Sequence, residues 1–207
     1  MAVVREPTLT KVSIASLRPT QITVGKKEVD EKRQRWRRLN TKKRSEFLGR
    51  HMMPVILGPN GHHYIIDHHH LARALHDEGV RDVLVTVVKD LKDLKREEFL
   101  VFLDHHSWIY PYDARGRRCR FEDIPKSISD LQDDPFRSLA GELRRVGAFA
   151  KDTTPFSEFL WADFLRRRMK RKIVEKDFRI AVKKAFKLAR GRKAEHLPGW
   201  CGPISKP

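Results

Sequence analysis

The chain is poor in cysteine. Cys119 and Cys201 stand far apart in 207 residues and form no C-x-x-C pair. That excludes a disulfide framework and a four-thiolate zinc site, and it points to free thiols in a reducing compartment, the cytoplasm. Long apolar runs are also missing. No stretch approaches the ~20 residues that a membrane span needs, so no membrane partner is expected. The opening MAVVREPTLTKV has neither an apolar core nor a small-residue cleavage pattern, so no secretory leader is expected. Internal repeats and low-complexity tracts are absent, which excludes solenoids and collagen-like or prion-like segments.

Negative charge is in short supply too. There are 44 Lys and Arg against 27 Asp and Glu, a net charge of +17. The excess is uneven. Residues 166–193 hold 14 basic residues against Glu175 and Asp177, and residues 26–50 hold 11 against four acids. The rest of the chain is close to neutral. Two basic segments flanking a neutral middle are the footprint of a polyanion binder, with nucleic acid, DNA above all, as the expected partner. The competing reading is a pair of solvated helix faces.

What is present reads as α+β. KVSIAS (11–16) suggests a short strand, and residues 27–48 a long polar helix carrying Val29, Trp36, Leu39, Phe47 and Leu48. MPVILGP is a strand, Asn60-Gly61 a hairpin signal, and HHYII the returning strand. Asp67 can cap the next helix, which ends at Gly79, a residue suited to the left-handed position after a helix. VLVTVV (83–88) is a β-branched strand. The first ninety residues therefore read β-α-β-β-α-β. The second half reads as helices, with Asp134-Pro135 opening one of them as N-cap and first helical residue. Phe136, Leu139, Leu143, Phe159, Leu160 and Trp161 look like core packing against the first domain. The expected organisation is an α/β unit at 1–92, a helical extension packed on it at 93–195 with a basic last helix, and a loose Pro/Gly-rich tail at 196–207. No convincing helix-turn-helix is found.

The informative stretch is YIIDHHHLARAL (64–75). At 100° per residue, Leu71, Ala74 and Leu75 share one face, while His69, Arg73 and His76 fall on the opposite, exposed side. His68, His69 and His70 all lie in the first turn, where backbone N–H groups lack helical partners and the dipole attracts anions. Imidazole donors and the Arg73 guanidinium would add to that, so the arrangement suits a phosphate. A metal is less well served: the spacings are not the i,i+4 that aims two ligands at one ion. A site would have to recruit His62 or His63, or Asp104, His105 and His106 from the following helix. A helix N-terminus also disfavours imidazolium, so neutral imidazoles able to act as a general base are expected here.

A strand followed by Asp-x-His-His and a helix with Arg-Ala near its middle resembles the ParB/sulfiredoxin superfamily, and within it the ParB-like nuclease subgroup. RPTQITVGKKEV (18–29), MPVILGPNGHHYIIDHHHLARAL (53–75) and DDPFRSLAGELRRVGAFAKDTTPFSEFLWADFLR (133–166) carry the resemblance. It implies a βαββαβ unit whose post-strand motif cradles phosphates. Against the partitioning proteins' Gly-Glu-Arg-Arg-x-Arg-Ala, this chain keeps Arg73-Ala74. Against the free-serine kinases' Asp-Gly-His-His-Arg, it keeps His70, but has His68 for the glycine and Leu71 for the arginine. His69 replaces the catalytic cysteine of sulfiredoxins, so that activity is not expected. Pro19-Thr20-Gln21 matches the kinases' acid loop with an amide in place of the carboxylate.

The resemblance and the charge together imply an enzyme acting on nucleic acid, a DNase or a nucleotide-hydrolysing DNA-binding protein. The alternatives are phosphotransfer from a nucleotide to a small hydroxyl compound and a non-catalytic DNA-binding accessory protein. Catalysis is expected at His69, His70 and Asp67, and phosphate binding at His68, His69, His70, Arg73, Thr20 and Gln21. Asp104, His105 and His106 form a second tier. Nucleic acid would be held by Arg166, Arg167, Arg168, Lys170, Arg171, Lys172, Lys183, Lys184 and Lys187. Cleavage assisted by Mg²⁺ would use Asp67 and Asp104, since Mg²⁺ prefers oxygen. A nucleoside triphosphate or diphosphate is the other cofactor expected.

Overall fold

The computed structural model describes residues 9–203. In chain order the strands and helices are β1 (Leu9–Ser13), β2 (Arg18–Pro19), β3 (Thr23–Val24), α1 (Lys26–Arg37), α2 (Thr41–Arg50), β4 (Met53–Leu57), β5 (His63–Ile65), α3 (His69–Asp77), β6 (Asp82–Asp90), α4 (Arg96–His105), β7 (Gln132–Asp133), α5 (Pro135–Arg145), α6 (Ser157–Arg166), α7 (Arg171–Lys176) and α8 (Phe178–Ala189). The architecture is α+β. The βαββαβ order stands, with its first helix divided. Asn40 opens a new helix there by accepting the Lys43 N–H at 3.0 Å, so 27–48 is α1 and α2 rather than one rod. No helix of the described residues is long and apolar enough to cross a membrane.

The chain forms two compact units. Among the described residues, the first comprises 9–22, 29–112 and 118–132; the second comprises 23–28, 113–117 and 133–203. The boundary expected at 92 therefore falls inside the first unit, which keeps α4 and the irregular segment after it. The reason is packing: Phe99, Leu100 and Leu103 of α4 bury themselves with Ile22, Ile56 and Ile109.

The first unit is built on a five-stranded sheet of order β1-β6-β4-β5-β2. The β1/β6 and β4/β5 pairs are antiparallel, and β4/β6 and β5/β2 are parallel. Pro54 is tolerated in the central strand because the register slips just beyond it, between Val55 and Ile56. Asn60-Gly61 does form the hairpin tip: both take positive φ, 59° and 71°, and Leu57 pairs with His63 across the turn. Opposed residues share a sheet face. Ile56 and Tyr64 face α4, where the Tyr64 ring lies 4.7 Å from that of Phe99. Val55 and Ile65, both fully buried, face the other way. Gly79, at φ 70°, ends α3 as expected.

The second unit has its own core. Phe136, Leu139, Leu143, Trp161, Phe164 and Leu165 pack with Ala181, Ala185 and Ala189 of α8. The helices at 135–166 thus supply a core within this unit, and Leu160, read from sequence as core, is 41% exposed. Asp134 caps α5 by accepting the Phe136 N–H at 3.0 Å. The tail is not loose where it is described. Trp161 Nε1 donates to the Pro198 carbonyl at 2.9 Å, Ala150 N–H to Gly199 at 2.8 Å, and Arg190 Nε to Gly202 at 2.6 Å. Residues 204–207 lie outside the described residues.

Candidate functional site

At the end of β5 the chain must turn from extended strand into α3. It does so through one residue, His68, at φ 65° and ψ 21°. This left-handed conformation is ordinarily glycine's, because a Cβ crowds the following carbonyl. His68, which the resemblance sets against a glycine, takes a conformation that favours glycine. Asp67 Oδ1 accepts the His68 N–H at 2.6 Å and holds the turn. The expected cap is corrected: the N-cap position is His68, and its side chain makes no capping bond.

His69 is the larger correction. The helical wheel put it on the exposed side, but it is 5% exposed. Its Nε2 accepts the backbone N–H of Thr20 at 3.1 Å. Thr20 Oγ1 lies 3.4 Å from the same nitrogen and donates to the Ile65 carbonyl at 2.8 Å. The Thr20 carbonyl accepts the Tyr110 N–H at 2.8 Å, and Gln21 bridges to Tyr110. Thr20 and Gln21 are both buried. A buried amide must find an acceptor, and here the first residue of α3 supplies it. Because an amide can only donate, Nε2 is unprotonated, and the neutral ring carries its proton on Nδ1. His69 thus fastens the end of β2 to the start of α3. It brings Thr20 and Gln21 to the histidine junction, as the phosphate-site reading requires, but with its Nε2 lone pair already engaged.

Arg73 is likewise committed. Its Nε donates to Asp77 at 2.9 Å and one terminal nitrogen to the Leu131 carbonyl at 2.8 Å. His70 is half-buried at the second helical position, and Asp67 is exposed. On α4, Asp104 pairs with Arg118 at 3.5 Å and His105 is exposed. His106 stacks on Phe102 at 4.0 Å with Nδ1 2.9 Å from the Phe102 carbonyl. Among the described residues, none of these three makes a hydrogen bond or ion pair with 67–73. Nor does any group of three or more His, Cys, Asp or Glu gather to hold a metal ion among the described residues. On the hairpin, burial and then the neighbouring His62 hold the His63 imidazole below its ordinary value.

The basic segments separate into structural and exposed cations. Arg166 belongs to the first group: it is bonded to Asp134 and Asp163, and its side chain is only 16% exposed. It neutralises a buried carboxylate and is not available to a polyanion. Burial raises the Asp134 carboxyl, and Arg166 acts against that rise. Arg168 lies 3.8 Å over the Phe164 ring, and Arg171 pairs with Glu175 at 2.7 Å. In 26–50, Arg33 and Arg37 both donate to Glu78 at 2.8 Å, and Arg44 covers Trp36. Exposed are Arg167, Lys170 and Lys172, and on α8 Lys183, Lys184 and Lys187. The α8 wheel explains the last three. Ala181, Ala185 and Ala189 form its buried stripe, and Arg179, Ile180, Lys183, Lys184 and Lys187 fan out on the opposite side.

Sequence reasoning missed the residues that fasten this junction. Tyr110 and Leu131 act through backbone groups, which carry no side-chain signal. Thr20 and Gln21 were named for phosphate, and burial gives them a second, structural part.

Comparisons with known proteins agree with this architecture. No curated protein matches the chain. The crystal structure of protein Atu1540 from Agrobacterium tumefaciens is similar at 52% identity, covering 96% of this chain and 100% of that one, with a TM-score of 0.90. The family model described as "Putative ParB-like nuclease" matches residues 10–167, a span running from the first strand through the histidine junction to the end of α6. Matched over well more than half its length and carrying the strand, turn and helix described above, the chain belongs to the ParB-like nuclease family.

Proposed function

We propose that this protein binds nucleic acid through the solvent face of α8 and hydrolyses a phosphodiester at the start of α3. The observation that carries the binding half is the segregation of α8: an alanine stripe inward, and Arg179, Lys183, Lys184 and Lys187 outward. Such a row tracks a phosphate backbone by charge alone. For the chemical half, α3 begins at the histidine junction, and the positive end of a helix dipole is a usual reception for a phosphate. His70 is the group for proton transfer. His69 acts through Thr20 as a positioning residue. Asp67 shapes the left-handed turn that leads into the helix.

Asp67 holds the His68 amide and Asp104 pairs with Arg118, so each carboxylate already has a partner in the fold. The polyphosphate of a nucleotide would meet the same helix start, so nucleotide hydrolysis is the neighbouring reading. A non-catalytic binder is favoured by one specific observation, that His69 Nε2 and Arg73 are both engaged in the fold.

The test uses supercoiled plasmid and, separately, radiolabelled ATP and CTP, each with Mg²⁺ or EDTA. Wild type, His70→Ala and a Lys183→Ala/Lys184→Ala/Lys187→Ala variant are compared. The expected result is nicking by wild type, loss of nicking with retained binding in His70→Ala, and loss of binding in the triple variant. Label released without nicking moves the substrate to the nucleotide. Salt-sensitive binding with no chemistry in either arm refutes the enzyme and leaves the binder.

A further inference from the structure

The first unit contains a cavity that the histidine junction does not use. It has a volume of about 190 Å³ and lies where β2, β5 and α4 meet the segment 121–126. None of residues 67–73 lines it. Its walls are apolar and partly aromatic: Tyr64, Leu100, Ile109, Phe121 and Ile124. The polar lining is Asn60 and His62 with three cations, Arg18, Arg96 and Lys126, and no carboxylate takes part. Arg18 donates to the Lys126 carbonyl at 2.7 Å, which fixes β2 to the 125–126 segment and brings those two cations to one rim. Arg96, the first residue of α4, and Lys126 form no ion pair among the described residues. Glu98 on the same helix turn accepts the Lys95 N–H at 3.0 Å.

We propose that this cavity binds a small organic anion, a flat apolar body of about one ring ending in a carboxylate or a phosphate ester. Size decides the body: an apolar cavity of about 150 Å³ holds a benzene ring, so this one takes a ring with a few atoms to spare and is too small for a whole nucleotide. Charge decides the end group. Three cations around an opening without a carboxylate attract a negative group, and Arg18 and Arg96 can hold a planar carboxylate or a phosphoryl group through two N–H donors each. The Tyr64 and Phe121 rings offer faces and edges to the flat body. The same unit would then carry two anion sites, one at the start of α3 and one made by side chains against α4.

The experiment titrates the full chain with benzoate and with phenyl phosphate, followed by calorimetry and by NMR shifts. Benzamide and inorganic phosphate serve as the neutral and ringless controls. Saturable binding is expected, with shifts at Tyr64, Phe121 and Ile124. Both controls should bind about tenfold more weakly or worse, since each lacks either the charge-assisted contacts or the ring burial. An Arg96→Gln/Lys126→Gln variant changes only exposed side chains and should fold normally; it should bind at least about tenfold more weakly. Preference for phenyl phosphate identifies a phosphate ester as the natural ligand class, and preference for benzoate a carboxylate. The proposal is overturned by no saturable binding of either probe, by equal binding in wild type and the double variant, by benzamide binding as tightly as benzoate, or by shifts confined to residues 67–73.

Discussion

His69→Ala is the perturbation that separates a positioning histidine from a catalytic one. In the wild type, Thr20 is 2% exposed and His69 5% exposed, and the Thr20 amide gives its proton to Nε2 at 3.1 Å. Alanine leaves that amide buried without its acceptor, which costs about 1–3 kcal/mol. The space vacated by the ring adds roughly 1 kcal/mol, less than for a larger apolar side chain. The expected loss is therefore about 3 kcal/mol, read as a lower midpoint in guanidinium unfolding with an unchanged slope. For a chain of this size it corresponds to a fall in Tm of roughly 6–12 °C. Glutamine can place an oxygen near the Nε2 position, so His69→Gln should cost less than about 1.5 kcal/mol. Hydrogen exchange gives the local readout: the Thr20 amide should lose protection in His69→Ala and keep it in His69→Gln. Nicking activity should follow stability, surviving in His69→Gln and failing in His70→Ala. A cost below about 1 kcal/mol for alanine, or equal costs for alanine and glutamine, would refute the clamp. Activity abolished by glutamine in a fully stable protein would make His69 the proton-transfer group instead.

Four further outcomes follow from the same geometry. Replacing Lys183, Lys184 and Lys187 by alanine should flatten the dependence of log K on log salt by about one unit per lysine, measured by fluorescence anisotropy on labelled duplex. Glu78 accepts hydrogen bonds from Arg37 and Arg33, which hold its carboxyl below the ordinary value. A lowered folded-state pKa gives stability that is present above the unfolded pKa and lost as pH falls through the folded one. Wild type should therefore lose Tm more steeply than Glu78→Gln below about pH 4.5, near the ordinary glutamate value, and parallel curves would contradict this. His68→Gly relieves a left-handed residue and should be neutral or stabilising by up to about 1 kcal/mol, whereas the β-branched His68→Val should destabilise by more than that. Arg166→Met leaves Asp134 buried without its cation and should cost about 3–5 kcal/mol, visible in thermal unfolding.

The parts of the fold legible in the sequence were those decided locally. MPVILGP, Asn60-Gly61, Gly79 and Asp134-Pro135 each carry their own cause: an apolar run, a tip that needs positive φ, a left-handed helix end, and a cap followed by proline. The break inside 27–48 was equally local. Asn40-Thr41 is a cap signal that the reading of one helix over 27–48 leaves out. The burial of His69 was not legible, because its cause is an unsatisfied amide 49 residues earlier in the chain. Leu71, Ala74 and Leu75 define a stripe that says nothing about the first residue of the helix, whose surroundings are set by the neighbouring strand end. The boundary at 92 failed for a related reason: Phe99 and Leu103 show that α4 has an apolar face without showing which core receives it. The tail was misread because proline and glycine mark irregular backbone, and irregular backbone can still be tied down, as Trp161 ties Pro198.

The same distinction governs the charge. Counted along the sequence, 166–193 is the most cationic stretch of the chain, and the count alone suggests one continuous polyanion surface. The structure divides it. Arg166 answers Asp134 and Asp163 in the interior, Arg168 lies on Phe164, and Arg171 faces Glu175. Arg166 would be needed for folding in a protein that never met a nucleic acid, and the other two already have partners within the chain. Arg33, Arg37 and Arg44 show the same behaviour in the other basic segment. Beside the exposed Arg167, Lys170 and Lys172, what folding leaves unexplained is the outer face of α8, where Arg179, Lys183, Lys184 and Lys187 lie opposite an alanine stripe that already satisfies the helix. A helix needs a solvated face, but not one of a single sign, since like charges at i and i+4 such as Lys183 and Lys187 repel. That residual cost, and not the net charge, is the physical argument for a polyanion on this surface.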